Sequence, residues 1–273
     1  VIPSSHGEHA AKKRFGQHFL HDPRVIERIV RTIQPQPGET VVEIGPGLGA
    51  LTVPLLQRLG RLQVVEIDRD VVPQLRRVCG DAPGLKLHLA DALQFDFSSL
   101  VVEGAPLRLV GNLPYNISTP LLFHLLRFAP QVRDMHFMLQ KEVVDRLTAD
   151  PDTDDYGRLT VTVAARAQAD YLFEVGPGAF NPPPKVDSAV VRITPRPAPF
   201  VIDDLTCFDE LVTTAFSQRR KTLGNGLRRL LPAAEIAAVG IDPKLRGETL
   251  APAQFALLAN RLHAMRAVQR PPA

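Results

Sequence analysis

The sequence predicts a doubly wound, Rossmann-like α/β domain followed by a small all-helical domain. From residue 40 to about 147, short apolar runs of strand length alternate with segments of helical apolar spacing, the signature of parallel strands joined by crossover helices. A glycine-rich turn, Gly45-Pro46-Gly47-Leu48-Gly49-Ala50, follows the first strand of that series. Beyond the prolines at 195, 197 and 199 the pattern turns helical as far as residue 267. The expected division is 1–199 and 200–273, with 1–14 a flexible basic lead-in.

The elements follow in order. Asp22 is placed to cap a helix that starts at Pro23 and carries Val25, Ile26, Ile29, Val30 and Ile33 on one side, ended by Pro35 and Pro37-Gly38. Thr40–Ile44 reads as a buried strand, Leu51–Leu59 as a helix, Leu62–Ile67 as a strand, and Val71–Val78 as a helix despite Pro73. Leu85–Leu89 and Leu107–Val110 are short apolar strands. They are followed by a helix over Leu121–Phe128, a strand over Met135–Leu139 and a helix over Glu142–Leu147. Asp150–Asp155 is an acidic loop, and Val186–Ile193 a late strand that extends the sheet edge. In the tail, Phe208–Phe216, Leu223–Leu231, Ala233–Val239 and Ala253–Met265 read as helices punctuated by glycine and proline.

Composition narrows the function classes. No apolar run reaches the roughly 18–20 residues of a membrane span, and the first residues lack a signal-peptide core. Cys79 and Cys207 lie far apart and match no metal or redox spacing, as expected for unpaired thiols in a reducing, cytoplasmic compartment with no metal site. The net charge is only +3, yet Ser217–Arg229 holds Arg219, Arg220, Lys221, Arg228 and Arg229 without an acid, and Lys12-Lys13-Arg14 forms a second cluster. Such clusters are either solvated faces or footprints for phosphates. No amphipathic seam demands a partner copy, so a monomer is expected.

The glycine turn lies at the carboxyl edge of the sheet, where ligands of such folds bind. Gly45, Gly47 and Ala50 also satisfy a dinucleotide fingerprint, and Glu66 at the end of the second strand suits a ribose diol in either case. Glu43, two residues before the first glycine, would repel a pyrophosphate but suits a sulfonium or ammonium. Asp91, after the third strand, can accept from an adenine amino group.

Asn112-Leu113-Pro114-Tyr115, after the fourth strand, is what methylation of an exocyclic amine requires. That nitrogen is a poor nucleophile because its lone pair is delocalised into the ring. The Asn112 side-chain carbonyl and the Leu113 backbone carbonyl can accept both amino hydrogens and direct the lone pair outward. Pro114 stiffens the turn, and Tyr115 offers a face on which an extruded base stacks.

Several long segments resemble the ribosomal RNA adenine N6-dimethyltransferase family, in particular its bacterial small-subunit (16S) branch. They are Lys13–Leu20, Glu43–Thr52, Val110–Pro120, Met138–Val143, Tyr156–Leu159 and Phe180–Val190, and the resemblance runs from about residue 9 to 265. It implies a class I methyltransferase-type fold using S-adenosyl-L-methionine on two adjacent adenosines near the 3′ end of small-subunit rRNA. Together with Glu43, Asp91 and the tetrad, it favours that cofactor over a nicotinamide.

Carried over, the resemblance places methionine-side contacts on Gln17, His18, Leu20 and Gly45, ribose on Glu66, adenine on Asp91, and Asn112 between cofactor and target. Gly47 completes the cofactor loop. The family commonly has Asn where this chain has His18. Phe180 is the expected second stacking surface. Lys12, Lys13, Arg14, Lys185, Arg219, Arg220, Lys221, Arg228 and Arg229 are the expected rRNA contacts. The alternatives are a large-subunit rRNA dimethyltransferase, an assembly factor acting without catalysis, and a dehydrogenase.

Overall fold

The computed structural model describes residues 17–80, 82–102, 104–218 and 220–269. The elements are β1 (Phe19–Leu20), α1 (Pro23–Ile33), β2 (Thr40–Ile44), α2 (Thr52–Leu59), β3 (Leu62–Glu66), α3 (Val72–Cys79), β4 (Leu85–Leu89), β5 (Leu107–Asn112), α4 (Ser118–Leu125), β6 (Val132–Gln140) and α5 (Lys141–Thr148). After them come α6 (Arg158–Ala164), β7 (Ala167–Val175), β8 (Phe180–Asn181), β9 (Ser188–Pro195), α7 (Leu205–Phe216), α8 (Leu223–Gly226), α9 (Ala233–Ala238) and α10 (Pro252–Gln269).

The chain divides into two compact units. One takes in the described residues up to Val144 with Asp170–Pro195; the other takes in Asp145–Ala169 with the described residues from Arg196 onward. Residues 145–169 therefore cluster with the C-terminal helices, a departure from a single cut near 199.

The sheet has seven strands in the order β4-β3-β2-β5-β6-β9-β7. Pairing is parallel from β4 through β6, and β9 runs antiparallel to β6. The chain winds outward from β2 through β3 to β4, then returns to the other side of β2 with β5, so the winding reverses between β2 and β5. Such a reversal opens a crevice at the carboxyl ends of the strands. Every residue of β2 is buried, as expected for a parallel strand covered on both faces. Helix α1 starts as its sequence dictates: Asp22 Oδ1 accepts from the Arg24 and Val25 amides, and Pro23 takes the first position.

A buried charge network ties this unit together. Arg108 on β5 is 4% exposed. It donates to Asp134 on β6 through Nε and Nη2 at 2.9 and 3.0 Å, to Glu39 at 2.7 Å and to the Ile33 carbonyl at 2.6 Å. Burial alone would raise the Asp134 carboxyl, but His136 and Arg108 hold it down at about 2.

In the other unit Phe208, Leu211, Phe255 and Leu258 are fully buried on α7 and α10. The Tyr156 hydroxyl donates to the Leu250 carbonyl at 2.6 Å. Several elements depart from the periodicity. Arg158–Ala164 is rich in β-branched residues, yet it forms a helix whose Leu159–Val163 are all buried, so packing overrides propensity. Helix α8 lasts a single turn, and Arg228 and Arg229 lie in the turns beyond it. Strand β7, at the sheet edge, alternates too weakly to be read from its alanines and Gln168. No helix among the described residues is long and apolar enough to cross a membrane.

Candidate active site

A cavity of about 230 Å³ opens where β4, β3, β2 and β5 end. Its lining includes Gly45–Leu48 after β2, Glu66 and Ile67 at the end of β3, Ala90–Leu93 after β4, Asn112–Ile117 after β5, and Gln17–Leu20 alongside. All of these lie in one compact unit.

Two glycines let backbones converge here. Gly47 has φ +52°, and a Cβ on it would stand 3.2 Å from the Phe19 ring. On β5, a Cβ at Gly111 would strike the Ile44 carbonyl of the neighbouring strand.

The acidic residues are graded in environment. Glu43 is 1% exposed, and its Oε2 has no hydrogen-bond partner among the described residues. Burial pushes its carboxyl up to about 8, with a smaller pull downward from Thr52 and a further push from Glu66. Glu66 is also raised by burial, although backbone amides oppose this; its Oε1 accepts from the Asp68 amide at 2.7 Å. Asp91 accepts from the Leu93 amide at 2.9 Å and from Gln94 Nε2 at 3.2 Å. Between Glu66 and Asp68, Ile67 lines the cavity yet is 49% exposed, an apolar surface suited to a flat ring. The set fits a ligand carrying hydroxyls, an amino group, a flat ring and a positive charge that would favour ionisation of the buried Glu43 carboxyl.

At the tetrad, Asn112 Nδ2 donates to the His18 carbonyl at 2.9 Å. This fixes the orientation of the amide. Neither Asn112 Oδ1 nor the Leu113 carbonyl has a hydrogen-bond partner among the described residues, while the Pro114 carbonyl accepts from the Ile117 amide and from Ser118 Oγ to close the turn. Two acceptors on adjacent residues are thus open beside the cavity. The Tyr115 hydroxyl is 2.6 Å from Ser188 Oγ, and its ring stacks on His18 with centroids 5.4 Å apart.

The structure therefore gathers Gln17, His18, Leu20, Glu43, Gly45, Gly47, Glu66, Asp91, Asn112, Leu113, Pro114 and Tyr115 around one cavity. Phe180 is the exception. It pairs with Leu20 across the β1–β8 ribbon, is 2% exposed and packs in the core, and it does not line the cavity. Here its ring anchors β1 instead of offering a face to a base. Lys185, Arg220, Lys221, Arg228 and Arg229 are exposed; Lys12, Lys13, Arg14 and Arg219 lie outside the described residues.

Three contributors were not evident from sequence. Ser188 and Asp68, which binds Gln17 Nε2 at 3.0 Å, act through contacts between distant segments. Ile67 could have been found as an apolar residue between two carboxylates. Away from the cavity, Asp204, Cys207 and His263 bring three potential metal ligands together. The Arg266 guanidinium, 3.7 Å from the Cys207 sulfur, puts a fixed positive charge against a cation there.

Residues 8–264 match the family described as ribosomal RNA adenine dimethylase. The chain is 56% identical to ribosomal RNA small subunit methyltransferase A of Aromatoleum aromaticum, over 94% of this chain and 96% of that protein. It is 55% identical to the protein of the same name from Pseudomonas aeruginosa, over 93% and 96%. Among solved structures it is similar to a dimethyladenosine transferase from Plasmodium falciparum, with a TM-score of 0.77 and 25% identity over 90% of this chain and 98% of that one. The 23S rRNA methyltransferase ErmE gives 0.68 and 28%, over 90% and 99%.

Proposed function

The chain belongs to the ribosomal RNA adenine dimethylase family, and we propose from that premise that it dimethylates N6 of two adjacent adenosines near the 3′ end of 16S rRNA. The methyl donor is S-adenosyl-L-methionine, and the substrate is the small ribosomal subunit or its precursor. One observation carries the reading: the open acceptor pair of Asn112 Oδ1 and the Leu113 carbonyl, beside a cavity lined by the buried Glu43, whose Oε2 has no hydrogen-bond partner among the described residues. Relatives 52–56% identical to this chain carry the small-subunit name, so the large-subunit alternative is not favoured.

When bound, the cofactor supplies an electrophilic methyl group on a sulfonium. Gln17, Leu20, the His18 backbone and the Gly45–Gly47 turn would line the methionine side, Glu66 would accept from the ribose hydroxyls, Asp91 from the adenine amine, and Glu43 would face positive charge. Leaving its stack costs the target adenine a few kcal/mol, offset in part by stacking on Tyr115. Asn112 Oδ1 and the Leu113 carbonyl then accept the two N6 hydrogens and aim the lone pair. Rate enhancement comes from positioning and from dipoles already in place. No strong base is required, because the alkylated amine is acidic and loses its proton to water.

The exposed Arg220, Lys221, Arg228 and Arg229 have no acidic partner among the described residues and supply phosphate contacts, with Lys185 beside the proline-rich loop as a further one. The protein acts in the cytoplasm as a monomer.

The test is transfer of labelled methyl groups to small subunits from a strain lacking the modification, with digestion to nucleosides. Dimethyladenosine, lost in Asn112→Ala, is the expected product. Transfer to large subunits alone, or none at all, would refute the reading.

A further inference from the structure

His18 lines the cavity, but its side chain is engaged elsewhere. Its Nδ1 lies 2.8 Å from the Pro182 carbonyl. A carbonyl only accepts, so Nδ1 carries the hydrogen. Its own carbonyl holds the Asn112 amide at 2.9 Å, and its ring stacks on Tyr115 at 5.4 Å with 26° between the planes.

Tyr115 needs such a neighbour. Its hydroxyl is tied to Ser188, but the phenol oxygen lies on the ring's own axis. Rotation about that axis leaves the oxygen where it is, so the hydrogen bond hardly sets the plane of the ring. A stacked neighbour does set it, and two rings in direct contact leave no space for a third between them.

We propose that the His18 side chain is a positioning residue for the target adenine: it backs one face of Tyr115 and presents the opposite face, correctly tilted, to the extruded base. Its side-chain contacts with Pro182 and Tyr115, beside the backbone bond from Asn112, mark a fixed support and not a placeholder that the base displaces. The β1 segment thereby joins the cofactor loop, through Phe19 over Gly47, to the pocket for the base. This rests on the dimethyltransferase reading above.

The experiment compares His18→Ala, His18→Gln and His18→Phe in the full chain. It measures kcat/KM on unmodified small subunits and, separately, the Kd for S-adenosyl-L-methionine by calorimetry without RNA. Loss of the stack should lower kcat/KM about tenfold in the Ala and Gln variants, with Kd held within about twofold. The Phe variant, which keeps a ring but not the bond to Pro182, should return close to wild type. A Kd that weakens in step with kcat/KM would make His18 a cofactor ligand and overturn the proposal. Rescue by Gln but not Phe, or a faster Ala variant, would overturn it too. Wild-type protein that transfers no methyl to small subunits would fail the dimethyltransferase reading itself, a result visible before any substitution is compared.

Discussion

Glu43→Gln should stabilise the cofactor-free protein, and by more at neutral pH than in acid. The native carboxyl titrates at about 8 against a reference value of 4.5. The folded state therefore holds its proton to higher pH than the unfolded state, and stability falls as pH rises through the window between those values. At pH 7.5 the penalty relative to a permanently neutral side chain is about 4 kcal/mol, and at pH 5 about 1 kcal/mol. Glutamine keeps the shape without the charge, so the variant's advantage should grow by about 3 kcal/mol between pH 5 and 7.5. Urea unfolding of both proteins at the two pH values measures it. An advantage that does not change with pH would refute the claim that burial holds this carboxyl protonated. Cofactor should then stabilise wild type more than Glu43→Gln, because a positive charge beside the carboxyl relieves the cost of ionising it, a cost that only wild type carries.

Asn112→Ala should lower kcat by about 100-fold or more while changing cofactor Kd by less than about threefold; equal losses in both would make Asn112 chiefly a cofactor ligand. Reversing Arg228 and Arg229 to Glu should weaken subunit binding and reduce the slope of log K against log salt by roughly 0.7–0.9 for each phosphate no longer neutralised. An unchanged slope from filter binding over a salt series would remove those residues from the interface. Arg108→Met removes the two-pronged partner of the buried Asp134, while Glu39 keeps Arg133 and the Gln36 amide; it should cost about 3–5 kcal/mol in urea unfolding, and Arg108→Met/Asp134→Leu should recover much of that loss.

What could be read from sequence was local. The glycine turn, Glu66, Asp91 and the tetrad are each short stretches at strand ends, and parallel winding alone brings those ends together. Contacts between residues far apart in the chain were not legible. Ser188 reaches Tyr115 across 73 residues, and Asp134 meets Arg108 across 26. The face of Phe180 is decided by β8 pairing with β1, which a two-residue strand cannot announce. Arg158–Ala164 is hard to read for a different reason: its β-branched composition favours extended backbone, and only the hydrophobic surroundings of Leu159–Val163 select the helix.

The ribbon of β1 and β8 also sets a schedule. His18 and Pro182 are 164 residues apart in the chain, and synthesis at about 5–20 residues per second separates their appearance by roughly 8–30 s. Until the later segment has left the exit tunnel, His18 lacks its Pro182 carbonyl and Tyr115 lacks Ser188. The outer wall is thus the last part of the pocket that translation makes available, so a chain cut short before residue 180 would carry the glycine turn and the tetrad without the wall that joins them.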